Sequence, residues 1–368
     1  MFDKVMFRQR LQSLLKRAHL ISAFFVTLLA VLFVFFTRHV SPERHEPPAD
    51  SSVDGGTIEV FFSAPDDPTA RTLRGGPDDP LAASIAGAQR SVDMAAYDLD
   101  LWSIRDALTE AHSSGAIVRV VVEGAHYDQP EIKDLIAAGI AVVPDTSEAL
   151  MHHKFVVVDR WDVWTGSMNF TLNGAYRNDN NLLHLQSSGL AEDYIREFEE
   201  MFLEGRYGRL SKRDTPFPEL EIASAAVKVY FSPEDGALLG LLEALDRAQE
   251  QVLLMGYTLT ADEIADTLMD DHRRGMDVRV LLEASQIGST GNDYDRLKQA
   301  GVDILVDKNP YNMHHKVIII DGVVVIAGSY NFTRSAEERN DENLIIIADE
   351  NLASAYLVEF TRIWEAAQ

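Results

Sequence analysis

One stretch of the chain occurs twice, and it limits what the rest can fold into. The second copy runs from Met313-His-His-Lys-Val-Ile-Ile-Ile-Asp321 through Gly328-Ser-Tyr-Asn-Phe-Thr333 to Arg339-Asn-Asp-Glu342. The first runs from Met151-His-His-Lys-Phe-Val-Val-Val-Asp159 through Gly166-Ser-Met-Asn-Phe-Thr171 to Arg177-Asn-Asp-Asn180. His152 and His314, Lys154 and Lys316, Asp159 and Asp321, Ser167 and Ser329, Asn169 and Asn331 each lie 162 residues apart. Core packing alone could repeat the Val/Ile runs. It would not repeat the polar residues at every matching position, so these belong to a site built from both copies.

The β-branched runs Phe155–Val158 and Val317–Ile320 read as buried strands. Asp321-Gly322 between two such runs signals a hairpin turn. On an extended chain residues i and i+2 face the same way, so His152 and Lys154 share a side, as do His314 and Lys316. His153 and His315 then face away and read as structural. Gly166-Ser167 and Gly328-Ser329 let the backbone approach a ligand, and Asn169 and Asn331 offer amide donors. Two His, two Lys and two Asn meeting at one point make an anion site, with phosphate the fitting anion.

These residues form the pattern HxK(x)4D(x)6GSxN in both copies, and with it the chain resembles the phospholipase D superfamily over about its last 310 residues. The resemblance implies an α/β fold of two pseudo-symmetric lobes, mixed or parallel sheets flanked by helices, and one active site at the lobe interface. It implies phosphodiester chemistry through a phosphohistidine, with no metal and no cofactor, and makes Asp159 and Asp321 supporting members of the motif. One histidine attacks phosphorus while the other protonates the leaving oxygen. Imidazole suits both roles near neutral pH, and Lys and Asn donors neutralise charge on the phosphoryl oxygens. The position 28 residues after each motif histidine accepts a proton from the ring's other nitrogen in this family. It is Glu342 in the second copy and Asn180 in the first. A carboxylate stabilises imidazolium more than an amide does. His314, backed by Glu342, is therefore expected to be the acid, and His152, oriented by Asn180, the nucleophile. The opposite assignment stays open, because a carboxylate also makes a ring more nucleophilic.

The repeat extends beyond the motif. Ile58-Glu-Val-Phe-Phe-Ser63 matches Val227-Lys-Val-Tyr-Phe-Ser232, and Val118–Glu123 matches Val278–Glu283. Alternating strands and helices imply sheets covered by helices. Lobe one is expected over 58–205, an inter-lobe linker with Pro216 and Pro218 over 206–226, and lobe two over 227–368. Residues 1–19 are basic, and Leu20–Phe36 is an uncharged apolar run, so 20–37 is expected to be one transmembrane signal anchor. Residues 38–57, rich in Pro, Ser and Gly, read as a flexible tether. Basic residues before the span put the N-terminus in the cytoplasm and the catalytic part outside; secretion after signal cleavage is the alternative.

The chain has no cysteine, which excludes disulfides and thiolate metal sites. Its 58 Asp and Glu against 33 Lys and Arg give a net charge of −25, which repels polyanions at long range. Against that, Gly328-Ser-Tyr-Asn-Phe-Thr and Arg339-Asn-Asp-Glu-Asn resemble the tails of bacterial endonucleases of the superfamily rather than those of its cardiolipin synthases. The motif tails put nucleic acid slightly ahead of phospholipid as substrate. Those endonucleases carry one motif and dimerise; here both half-sites lie in one chain, so a monomer suffices.

Overall fold

A computed structural model describes residues 55–368, and the proposed anchor at 20–37 lies outside them. Among the described residues no helix is long and apolar enough to cross a membrane. The first sheet is built from β1 (Ile58–Phe62), β2 (Ser91–Ala96), β3 (Ile117–Val122), β4 (Ala141–Pro144), β5 (Lys154–Val158), β6 (Asp162–Gly166) and β7 (Asn181–Gln186). Its order is β1-β7-β6-β5-β2-β3-β4. The second contains β8 (Glu219–Ile222), β9 (Ala225–Ser232), β10 (Gln251–Gly256), β11 (Asp277–Leu282), β12 (Asp303–Val306), β13 (Lys316–Ile320), β14 (Val324–Gly328) and β15 (Glu342–Ala348). It reads β12-β11-β10-β13-β14-β15-β9-β8, the same order reversed with one strand added.

Both sheets are mixed. β2, β3 and β4 run parallel, as do β10, β11 and β12, because helices Trp102–Ser113 and Asp262–Arg273 carry the chain back between the first two strands of each set. The remaining pairings are antiparallel hairpins or returns. The added strand corrects one expectation. Residues 206–226 are not a bare linker, since Glu219–Ile222 pairs with the edge of β9.

The hydrophobic residues fall into an outer core for each lobe and one shared core between them. The shared core takes Phe155, Tyr194 and Phe198 from lobe one and Phe231, Tyr356 and Phe360 from lobe two. The closing helices α1 (Ser188–Glu204) and α2 (Glu350–Ala367) bring part of this layer. Sheet strands buried on both faces, such as Lys154–Val158 and Lys316–Ile320, follow from that packing.

Asp159 and Asp321 lie at the far end of β5 and β13 from the histidines. Each is at positive φ (54° and 52°) and gathers backbone amides from the segment leading into β2 or β10. Asp321 accepts from Gln249, Glu250 and Gln251 at 2.8–2.9 Å, and Asp159 from Gln89, Arg90 and Ser91 at 2.6–3.1 Å. They staple a loop and do not line the site, so the support they give is to the fold around it. Asp321→Asn, which keeps the tolerance for positive φ, should cost about 1–3 kcal/mol of stability while leaving the folded protein's turnover intact. Thermal unfolding alongside kcat checks this.

Candidate active site

Each motif histidine sits just before its strand, and the two lobes hold one another there. The His152 amide donates to the Asp341 carbonyl at 2.9 Å, and the His314 amide to the Asp179 carbonyl at 2.8 Å. Short parallel bridges Met151–Asp341 and Asp179–Met313 complete the seam. Glu123 and Glu283 fix the chain one residue earlier, accepting from the Met151 and Met313 amides at 2.9 and 2.7 Å.

The ring contacts cross the interface too, and this overturns the expected pairing. Glu342 accepts from His152 Nδ1 at 2.7 Å, not from His314. His314 Nδ1 donates to Asn180 Oδ1 at 3.0 Å and lies 3.1 Å from the Ser167 carbonyl. Each histidine thus takes its partner from the other lobe. With Nδ1 engaged, the Nε2 atom of each ring is left for chemistry. His314 Nε2 lies 3.3 Å from Lys316 Nζ.

Lys154 and Lys316 are buried and donate to the carbonyls of His152 and His314 at 2.6 and 2.9 Å. Tyr97 and Tyr257 meet His152 and His314 edge to face at 4.7 and 4.6 Å, with the lysine ammonium groups 5.0 and 5.1 Å from their ring centres. The amide oxygens of Asn169 and Asn331 are buried without a hydrogen-bond partner. Ser167 and Ser329 are fully buried. Ser167 donates to Asn180 Oδ1 at 2.9 Å, and the two hydroxyls accept the Asn181 and Asn343 amides at 3.1 and 3.0 Å. They support the site from behind.

Gly166 and Gly328 have a different role from the one expected. A Cβ there would stand 2.4 and 2.3 Å from the carbonyl oxygens of Asn181 and Asn343, so the glycines admit a neighbouring strand rather than a ligand. His153 and His315 face away, as their spacing requires. Their Nε2 atoms contact Glu197 on α1 at 2.9 Å and Glu359 on α2 at 3.1 Å. Among the described residues no group of His, Cys, Asp and Glu is arranged to hold a metal ion.

Comparison with known proteins settles the family. A family model described as "Cardiolipin synthase, PLD-like domain" matches residues 81–202 and again 241–364. The chain belongs to the phospholipase D superfamily. The phospholipase D of Rickettsia conorii is 37% identical over 137 residues, spanning 37% of this chain and 68% of that protein. The mitochondrial cardiolipin hydrolase of Chlamydomonas reinhardtii is 33% identical over 135 residues, or 37% of this chain and 60% of that protein. The phosphatidylserine synthase structure from Haemophilus influenzae has a TM-score of 0.62 at 12% identity and covers 84% of this chain and 86% of its own; it shares the fold. The protein is a phosphodiesterase of this superfamily.

Burial dominates the electrostatics of this phospholipase D-type site. It holds both motif histidines well below their ordinary value, and the neighbouring lysines add to the effect. Burial also pushes Glu342 up to about 7, against the pull of Lys154, and lowers Lys154 to about 7. Lys316 is also held well below its ordinary value, with burial first and Lys154 second as causes. An anion placed between the lysines draws protons back onto them. Inhibition by sulfate, whose charge is constant near neutrality, should weaken as pH rises through about 7, because Lys154 then loses its proton. Inhibition constants at successive pH values check this.

Glu123, Glu283, Asp179, Asp341, Asn181 and Asn343 were missed as members of the site. Each of these pairs recurs at matching positions of the two lobes, and that recurrence was the signal available. Tyr97 and Tyr257 are only partly buried and stand against the motif histidine rings.

Proposed function

We propose that this phosphodiesterase works through a phosphohistidine on His152 and that its substrate is a phospholipid. What carries the mechanism is the pair of opposed histidines, each anchored at Nδ1 by the other lobe. In the first step His152 Nε2 bonds to phosphorus, the bond from phosphorus to the leaving oxygen breaks, and that oxygen takes the proton from His314 Nε2. Water then gives a proton to His314 and its oxygen bonds to phosphorus, releasing His152. In this reading Lys154 and Lys316 neutralise the phosphoryl oxygens, and the Asn169 and Asn331 amides donate hydrogen bonds to them.

The observed pairing changes the reason for this assignment. A phosphorylated imidazole stays cationic for the whole life of the intermediate, and Glu342 is the carboxylate beside the His152 ring. The acid surrenders its charge in the step it catalyses. Neutral acceptors such as Asn180 and the Ser167 carbonyl suit a ring that alternates between states.

On substrate, the motif tails lean toward nucleic acid. The net charge of −25 leans the other way, and the names of the relatives, phospholipase D and cardiolipin hydrolase, do so too. The apolar run Leu20–Phe36 fits the same reading, as an anchor that would hold the enzyme at a bilayer with its catalytic part on the extracytoplasmic side. Retention of the full chain in membranes after an alkaline carbonate wash tests the anchor. For substrate, the full chain in EDTA would meet phosphatidylglycerol or cardiolipin vesicles and single-stranded DNA side by side, with His314→Ala as control. Lipid cleavage lost in the variant is the expected result. DNA cleavage with lipid untouched would reverse the substrate assignment and leave the chemistry in place.

A further inference from the structure

The two halves behind the site are alike in fold and unlike in charge. Beside His314, Arg362 on α2 reaches Glu359 at 2.8 Å, Asp66 at 3.1 Å and Asp179. The repeat places Glu200 where Arg362 stands, Glu197 at Glu359 and Asp341 at Asp179. The opening strands put Asp235 at Asp66 and Glu234 where lobe one has Pro65. The half that carries His152 therefore has five carboxyl groups and no guanidinium among those matched positions.

Asp341, Glu197 and Glu200 are nearly or fully buried, and Asp341 Oδ2, Glu200 Oε1 and Glu234 Oε2 have no hydrogen-bond partner. The remaining neighbours do not neutralise them. His153 comes from the motif, Asp145 from the end of β4, and Asp214 from the stretch after α1. Arg196 is paired with Asp214, and the Lys212 ammonium with Glu204. Buried carboxylates that raise one another in this way cannot all ionise. With Arg196 and the Lys212 ammonium already paired, protonation is the way the cluster sheds charge.

Resting on the proposed role of His152, we infer that Glu197 is a positioning residue for that histidine, held by protons kept within the Glu197–Glu234–Asp341 cluster where the other half uses Arg362. Glu197 fixes His153, whose neighbour is His152. Asp341 receives the His152 amide on its carbonyl, and the next residue, Glu342, grips the His152 ring. Ionising the cluster sets Glu197 on lobe one against Asp341 and Glu234 on lobe two. The seam under His152 loosens while the Arg362 clamp under His314 holds.

Burial first, and neighbouring carboxylates second, push Glu197, Glu234 and Asp341 upward. Their folded-state affinities for protons thus exceed those of the unfolded chain. Stability then falls as pH rises from the ordinary carboxyl range toward the raised values.

The test uses the full chain, with Glu234→Gln removing one titrating group and Glu200→Arg installing the guanidinium of the other half. Melting temperature and the rate of His152 phosphorylation by bis(4-nitrophenyl) phosphate are followed from about pH 6 to about pH 10. The wild type should lose both as pH rises. Both variants should flatten the alkaline fall, melting above the wild type from neutrality upward and keeping the phosphorylation rate to a pH about one unit higher. Coincident profiles for all three proteins would overturn the inference. A shift in melting alone, with phosphorylation unmoved, would reduce the cluster to a structural role and overturn positioning. A wild type that forms no phosphoenzyme at any pH overturns the catalytic reading, and this role with it.

Discussion

His152→Ala should reduce turnover by on the order of 10⁴-fold or more, because the proposed phosphoryl acceptor is gone and no neighbour replaces it. The same is expected of His314→Ala with natural substrates, whose alkoxide leaving groups need a proton. The two variants separate when the leaving group is 4-nitrophenolate, which departs without an acid. His314→Ala should then phosphorylate His152 and stall, since nothing activates water for the second step. His152→Ala should form no adduct. Rapid quench followed by intact-mass measurement reads the difference, with the acid lability of the adduct identifying a phosphohistidine. Label found on His314 in the His152→Ala protein would exchange the two roles. Glu342→Gln probes the same point from the other side. Loss of the carboxylate should slow phosphoryl transfer to His152 more than it weakens substrate binding.

Arg362→Met should cost about 3–5 kcal/mol, the largest stability loss expected outside the cores. The partners are the reason: Asp179 and Glu359 are nearly buried, and removal of the guanidinium leaves two carboxylates facing each other across the lobe seam. Although burial pushes Glu359 up, its hydrogen bonds with Arg362 and His315 hold it at about 2. A depressed carboxyl contributes stability above its ordinary value of 4.5, and that contribution fades as pH falls toward 2. The variant should lack this acid-side loss and be less stable than the wild type throughout the neutral range. Melting curves at successive pH values check both statements. Because the Asp179 carbonyl holds the His314 amide, kcat should fall as well.

Much of this was legible because the repeat is strict. Equal spacing of His, Lys, Gly-Ser and Asn in both copies identified the strands and the hairpins, and the i, i+2 rule placed His153 and His315 on the far side. The pairing of rings with acceptors was not legible. A repeat tells which residues are equivalent, and it says nothing about which copy supplies a partner. Glu342 in its own copy and Glu342 reaching across the interface are the same pattern in sequence. Burial hid the rest. Nothing local distinguishes Glu197, buried against His153, from an ordinary exposed glutamate on an amphipathic helix. The strand Glu219–Ile222 follows Pro216 and Pro218, whose turn signal outweighed four residues of edge pairing.

The exchange of partners across the seam has an evolutionary side. In a dimer of identical subunits, symmetry forces every half-site to offer its histidine the same neighbour, and a substitution appears twice. Joining the halves in one polypeptide removes that restriction. Asn180 and Glu342, or Glu200 and Arg362, can then diverge one at a time, and two chemically equivalent rings become specialists.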